Sequence, residues 1–231
     1  MATLSIIVPV LDEAAGIAGS LAALAPLRAG GAEVVVVDGG SSDGTAELAR
    51  PLADRVVAAP RGRALQMNAG ARAARGDTFL FLHADTRLPP GADRLVDEGL
   101  AAAGRHWGRF DVRIAGRSPL LPVVAAFMNA RSRLTGIATG DQALFATRAA
   151  FERAGGFPAI ALMEDVAFSK AMKRLGPPLC LRAKAVTSGR RWERGGTLRT
   201  ILLMWRLRLA YFLGADPSVL ARRYGSGRAE V

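Results

Sequence analysis

Residues 79–86 read FLFLHADT. The run 78–82 (TFLFL) is short, apolar and rich in aromatics. The Gly76-Asp77 turn bounds it on one side and an acidic turn on the other. That is the signature of a strand buried on both faces. The turn that follows, His83-Ala84-Asp85, puts a carboxylate just past the strand's carboxyl end.

Two earlier runs read the same way: LSIIVPV at 4–10 and EVVVV at 33–37. Between them a helix is expected from about Asp12, with Ile17, Leu21 and Leu24 at i, i+4, i+7 and Pro26 near its end. Ser41, Ser42 and Asp43 are N-cap candidates for a helix over 45–53. A short strand at 55–59 and a helix at 63–74 lead back to FLFLHADT. Strands alternating with helices predict an α/β fold, a doubly wound and mostly parallel sheet. Such sheets bind ligands beyond the carboxyl ends of their strands. Asp12, Asp38 and Asp85 all fall at or just past such an end.

The second half is less regular. Strands are expected at 109–115, 142–146 and 179–186, and helices at 120–134, 148–154 and 164–175. Residues 198–213 (LRTILLMWRLRLAYFL) form an apolar helix, interrupted by Arg206 and Arg208 and shorter than the roughly 20 residues a bilayer span needs. The division expected is a main domain over 1–197 and a C-terminal segment over 198–231, the tail from Tyr224 being frayed.

The chain has 231 residues, enough for one large domain with a sizeable core. The formal charge is +11, a field that attracts anions such as nucleotide phosphates or anionic lipid. No zinc-finger, RNA-recognition or basic-zipper signature accompanies it, so nucleic acid is not an expected partner. The single Cys180 excludes an internal disulfide. MATLSIIVPVLDE lacks the basic region of a signal peptide, which points to the cytoplasm.

In order, the sequence presents VPVLDE, VVVVDGGSSDGT, GRALQMNAGARAARGD, FLFLHADT, a Gly-Asp pair, and MEDVAFSKAMKRLG. This series, over residues 4–176, resembles the family 2 glycosyltransferases, which have the GT-A fold. Within the family it is most similar to the short bacterial arsenosugar-biosynthesis type. The resemblance implies a nucleotide-diphosphate sugar donor, UDP-linked in this chain, and transfer to a hydroxyl with inversion. A divalent cation, Mn²⁺ or Mg²⁺, is implied as cofactor.

Asp38 is then the residue that reads the base, by accepting the N–H of a uracil ring; its plainer reading is a turn cap. Pro9 and Glu13 flank the base-binding wall. Many family members carry a second Asp after Asp38; here it is Gly39. Arg63 and Asn68 match the basic and amide positions before the third strand, Arg63 facing the diphosphate unless Arg61 takes that role. His83-Ala84-Asp85 occupies the family's D-x-D position. Asp85 is the metal residue, held with phosphate oxygens and water. His83 replaces the first Asp, and its imidazole suits a ribose hydroxyl or a Mn²⁺ ion.

Glu164-Asp165 matches the E-D pair in which the Asp is the catalytic base. Asp141 and Gln142, in Gly140-Asp141-Gln142, match an acceptor-side segment; Asp141 reads equally as a turn residue. Arg190-Arg191-Trp192 resembles the end of a Q-x-x-R-W motif, with Ser188 in place of the Gln. It puts Arg191 near the diphosphate and Trp192 under the acceptor. The helix at 198–213 reads either as an interfacial element at the inner face of a membrane, suited to a lipid-linked acceptor, or as a packed or homodimer-forming helix. Two rivals to glycosyl transfer are a sugar-phosphate nucleotidyltransferase and a non-catalytic anion- or membrane-binding protein on the same fold. The first would want a Gly-rich basic loop where VPVLDEAAG stands.

Overall fold

The computed structural model describes residues 3–226. The first part alternates as expected: β1 (Leu4–Val10), α1 (Ala14–Ala22), α2 (Ala25–Ala29), β2 (Glu33–Asp38), α3 (Thr45–Ala49), β3 (Arg55–Ala58), α4 (Arg63–Ala73) and β4 (Thr78–Phe81). There follow β5 (Thr86–Arg87), α5 (Ala92–Ala103), β6 (Trp107–Ala115), α6 (Leu121–Thr135), β7 (Leu144–Thr147), α7 (Arg148–Arg153), α8 (Glu164–Lys173) and β8 (Leu179–Ser188). The C-terminal elements are α9 (Arg190–Arg194), α10 (Thr197–Phe212) and α11 (Pro217–Ser226).

One sheet runs in the order β3-β2-β1-β4-β7-β6-β8-β5. β3, β2, β1 and β4 are parallel neighbours, so the parallel expectation holds there. β7 is antiparallel to both β4 and β6, β8 is parallel to β6, and β5 is antiparallel to β8. The second half of the sheet is therefore mixed.

The continuous apolar runs are explained by helices on both faces. Ile6, Val8, Val34, Val36 and Leu80 pack with Ile17 and Leu21 of α1 and Val96 and Leu100 of α5. Ile7, Val35, Val37, Phe79 and Phe81 pack the other way, with Met67 of α4, Phe151 of α7 and Phe168 of α8. Successive strand residues point to opposite faces, so each face needs every second position to be apolar. Each such side chain contributes roughly 1.5–3 kcal/mol on burial.

The helix after residue 44 departs from expectation. α3 ends at Ala49 and a 3₁₀ turn containing Pro51 follows, because proline cannot donate to the helix ladder. Gly44 stands at the cap position, and the hydroxyls of Ser41 and Ser42 serve Asp12 instead. The tail also differs. Tyr224 lies within α11, and Leu220 of that helix is buried against Leu207 of α10, Met163 and Val166. Residues 227–231 lie outside the described residues. Among the described residues no helix is long and apolar enough to cross a membrane.

Candidate active site

The carboxyl ends of β1 and β2 lie side by side, with Val10 opposite Asp38. Asp38 is buried, and its carboxylate accepts the backbone N–H groups of Gly40 and Ser41, each at 3.1 Å. The turn-cap reading of this residue is thus realised, whatever else it binds. Asp12 adopts a left-handed conformation and its Oδ1 accepts the N–H of Ser42 at 2.9 Å. The Glu13 N–H donates to Thr45 Oγ1 at 2.8 Å. Pro9 pairs with Val37 within the sheet. The two loops at this edge are therefore cross-linked.

Gln66, on α4, completes the arrangement. Its buried Nε2 donates to the carbonyls of both Val10 and Val37, at 2.8 and 2.9 Å. A Cβ at Gly39 would stand 2.9 Å from that nitrogen, so the residue that departs from the family's second Asp is pressed against this amide.

A second group of residues comes together from four segments. His83 follows β4, Arg63 opens α4, Asp141 sits in the 3₁₀ turn Gly140–Gln142, and Glu164 and Asp165 open α8. His83 Nδ1 lies 3.3 Å from Asp141 Oδ1. A Cβ on Gly140 would meet His83 Nε2 at 2.3 Å and Cε1 at 2.5 Å, so that edge of the imidazole is pressed against the glycine. Nε2 itself is buried without a protein partner. The Gly140 N–H donates to Asp165 Oδ2 at 3.0 Å, and the Val166 N–H donates to Oδ1 at 2.7 Å. Arg63 Nη1 lies 3.5 Å from Oε1 of the buried Glu164.

The electrostatics follow from this crowding. Burial first, and the neighbouring Glu164 second, push the Asp165 carboxyl up to about 6. The Gly140 N–H, the Arg63 charge and the Val166 N–H oppose that rise. Burial would also raise Asp141, but the hydrogen bond and charge of His83, with Arg63 and Arg191, hold it below the usual carboxylate range. Burial works against the Arg63 cation, yet Glu164, Asp141 and Asp165 outweigh it and raise its pKa. One acid held near neutrality beside one held ionised is an arrangement that can divide acid–base work.

The floor under this group is rigid. Phe81 meets Phe157 edge-on at 4.8 Å, and Phe157 stacks on Phe168 at 4.2 Å. Met163, just before Glu164, is left-handed, a conformation costly for a side chain with a Cβ. Asn68 uses both ends of its amide on Phe157: Nδ2 donates to the carbonyl at 2.8 Å and Oδ1 accepts the N–H at 2.9 Å. It therefore anchors the loop that leads to Glu164. Gln142 is likewise committed inside the protein, to the Thr139 N–H and the Ser132 hydroxyl.

Asp85 is exposed, touched only at 3.4 Å by the Thr86 hydroxyl among the hydrogen bonds resolved. It borders a cleft of about 710 Å³ whose lining includes Arg87, Arg113, Lys184, Pro89 and Pro90. Among the described residues no three His, Cys, Asp or Glu side chains cluster as a cage for an ion. An accessible single carboxylate at the sheet edge does fit Mg²⁺ or Mn²⁺, which bind through one or two carboxylates plus substrate phosphates.

The C-terminal elements close over one side. Arg191 stacks on the Tyr224 ring at 3.6 Å and hydrogen-bonds its hydroxyl. Trp192 packs against the cluster of Val112, Leu121 and Val124. The structure thus brings together Arg63, His83, Asp141, Glu164 and Asp165, and Arg191 acts on the same group. Asn68, Gln142 and Trp192 serve internal contacts. Sequence reasoning missed Gln66, Tyr224 and Arg131. Burial lowers the Arg131 pKa, Asp165 opposes that, and its Nε and Nη2 are buried without partners. An arginine on the core side of an apolar helix was the available signal for it.

Residues 5–118 match the family model described as Glycosyl transferase family 2. No curated protein matches the sequence closely enough to add to this. Among solved structures the fold is shared with S. aureus TarS 1-349 in complex with UDP. The TM-score is 0.65 at 20% identity, over 80% of this chain and 60% of that one. It is shared with the mannosyltransferase PcManGT from Pyrobaculum calidifontis in complex with GDP-Man and Mn²⁺. There the TM-score is 0.65 at 22% identity, over 98% of this chain and 70% of that one. A third is glucosyl-3-phosphoglycerate synthase from Mycobacterium tuberculosis, with Mn²⁺, UDP and glucosyl-3-phosphoglycerate. Its TM-score is 0.56 at 22% identity, over 80% of this chain and 71% of that one. This chain therefore spans three-fifths of the length of TarS 1-349. Residues 5–118 thus match the Glycosyl transferase family 2 model, and the fold around them is the GT-A fold of these structures.

Proposed function

We propose that the protein moves a sugar from a nucleotide-diphosphate sugar, UDP-linked, to an acceptor hydroxyl with inversion, in the manner of the arsenosugar-biosynthesis type its motifs resemble. The observation that carries this is Asp165, a carboxylate raised to about 6 and aimed by two backbone N–H groups beside Glu164 and Arg63. A base of that strength suits a hydroxyl proton at neutral pH. Asp165 takes the proton as the acceptor oxygen bonds to the anomeric carbon. The bond to the diphosphate breaks on the opposite face, and its electron pair leaves with the phosphate.

Asp38, flanked by Pro9 and Glu13, reads the base. Arg63 and Arg191 steady the diphosphate through charge-assisted bonds. His83, held beside Asp141 at the end of the strand, suits a ribose hydroxyl or the cation. Asp85 holds the divalent cation, which when bound neutralises the charge that grows on the departing diphosphate. The neighbours solved with UDP, GDP-Man and Mn²⁺ support the donor class and the cation.

The test is a thermal-shift screen of nucleotide sugars with and without Mn²⁺, followed by release of free nucleotide from the best donor. A UDP-sugar should raise the melting temperature only with the cation and then be consumed. No stabilisation by any nucleotide sugar would overturn the reading.

A further inference from the structure

α10 wears its apolar stripe on the outside. Leu198, Leu202, Trp205, Leu209 and Phe212 are 60–77% exposed. They stand at i, i+4, i+7, i+11 and i+14, which on a helix gathers them into an arc of about 80°. A surface helix ordinarily turns such a stripe toward the core. Here the opposite face is already used: Leu207 is buried against Met163, Val166 and Leu220. The outward stripe is a second apolar face.

Its borders identify what covers it. Arg199 and Arg206 run along one flank and Arg208 along the other, at roughly 80–100° from the centre of the stripe. α10 contains no acidic residue. From 190 to 226 the sequence carries eight arginines against Glu193 and Asp216. A second copy of α10 laid face to face would set arginine against arginine, with no carboxylate on either helix. Anionic lipid headgroups are complementary to both features, the apolar stripe entering the acyl boundary and the arginines meeting phosphate. Trp205 stands mid-stripe, with an apolar ring and a polar N–H suited to that boundary.

We propose that α10 is a membrane-docking helix that lies in the plane of an anionic lipid surface. At 16 residues it is about 24 Å long and does not span. Because its inner face packs on Met163 and Val166, docking holds Asp165 about one helix diameter, roughly 10 Å, from the headgroups. A hydroxyl acceptor carried on a lipid could then reach the base without leaving the surface.

The experiment is co-sedimentation of the full chain with vesicles of phosphatidylcholine alone or with about 30 mol% phosphatidylglycerol. Binding is expected to the anionic vesicles, to weaken as salt rises, and to shift Trp205 emission to the blue. Leu202→Asp with Leu209→Asp should reduce binding at least about tenfold while leaving the thermal melt intact. Arg199→Gln with Arg206→Gln and Arg208→Gln should erase the preference for anionic lipid. Three results would overturn the proposal: no binding to either vesicle at low salt, binding unaffected by the leucine changes, or a dimer in sedimentation equilibrium that Leu202→Asp dissolves. The assay uses no donor or acceptor, so its failure leaves the transfer reading untouched.

Discussion

The Gly140 N–H donates to Asp165 Oδ2 at 3.0 Å and so joins the start of α8 to the turn that carries Asp141. Two carboxylates of opposite pKa tendency are thereby held on one backbone hinge. The chemistry expected of each follows from that link.

Replacing Asp165 by Asn keeps the shape and one of the two N–H contacts, since its NH2 cannot accept the other, and removes the base. Transfer should fall by roughly 10²–10⁴-fold. Donor affinity, measured calorimetrically with Mn²⁺, should change little. Equal loss of affinity and rate would assign Asp165 to donor binding.

Because the Asp165 carboxyl titrates near 6, the rate should climb through that pH and level off above it. Stability runs the other way. The folded value lies above the ordinary 3.8, so the folded state holds the proton more tightly. Its contribution is full below about pH 4 and is lost as pH rises through about 6. Asp165→Asn should therefore melt higher than the parent at pH 7.5, by roughly 2–4 °C per kcal/mol recovered, and show no such gain at pH 4. A pH-independent difference would place the effect elsewhere.

Asp85→Ala should weaken nucleotide binding about tenfold or more in Mn²⁺ and leave the weaker binding in EDTA unchanged. Titration of UDP under both conditions decides it. Identical affinities for parent and variant in Mn²⁺ would remove Asp85 from the cation site.

Gly140→Ala adds a methyl where His83 lies, 2.3 Å from its Nε2. The imidazole must swing away from Asp141, at a cost of roughly 1–3 kcal/mol in denaturant melts. Most of that should return in the double variant with His83→Ala. If it does not, the strain is in the backbone and not in the contact with the ring.

Asn68→Ala strands the N–H and carbonyl of Phe157, a loss of roughly 1–3 kcal/mol in stability. Its effect on rate should exceed its effect on donor affinity, since the loop it holds leads to Glu164 and Asp165. A change confined to affinity would return Asn68 to the nucleotide.

The parallel half of the sheet was readable because β1, β2 and β4 are buried on both faces, which leaves unbroken apolar runs such as EVVVV. The mixed half was not, because the antiparallel insertion of β7 between β4 and β6 depends on contacts distant in sequence. Among the candidate site residues, three charged ones were legible as neighbours: Arg63, Glu164 and Asp165, which the motif order names, come together in space. The amides were not. Gln66, Asn68 and Gln142 satisfy buried backbone or hydroxyl groups, and a polar residue doing that looks in sequence like one meeting a ligand. For α10, periodicity revealed an apolar helix but not that both of its faces would be apolar and only one covered.

The clasp formed by Gln66 on the carbonyls of Val10 and Val37 bears on the timing of ligand capture. The two strand ends that would bracket a nucleobase are locked before any nucleotide arrives. The entropy of fixing them is spent during folding, so little ordering remains for the encounter itself. Discrimination between bases at such a slot is then expressed in how long each stays and not in how quickly each enters.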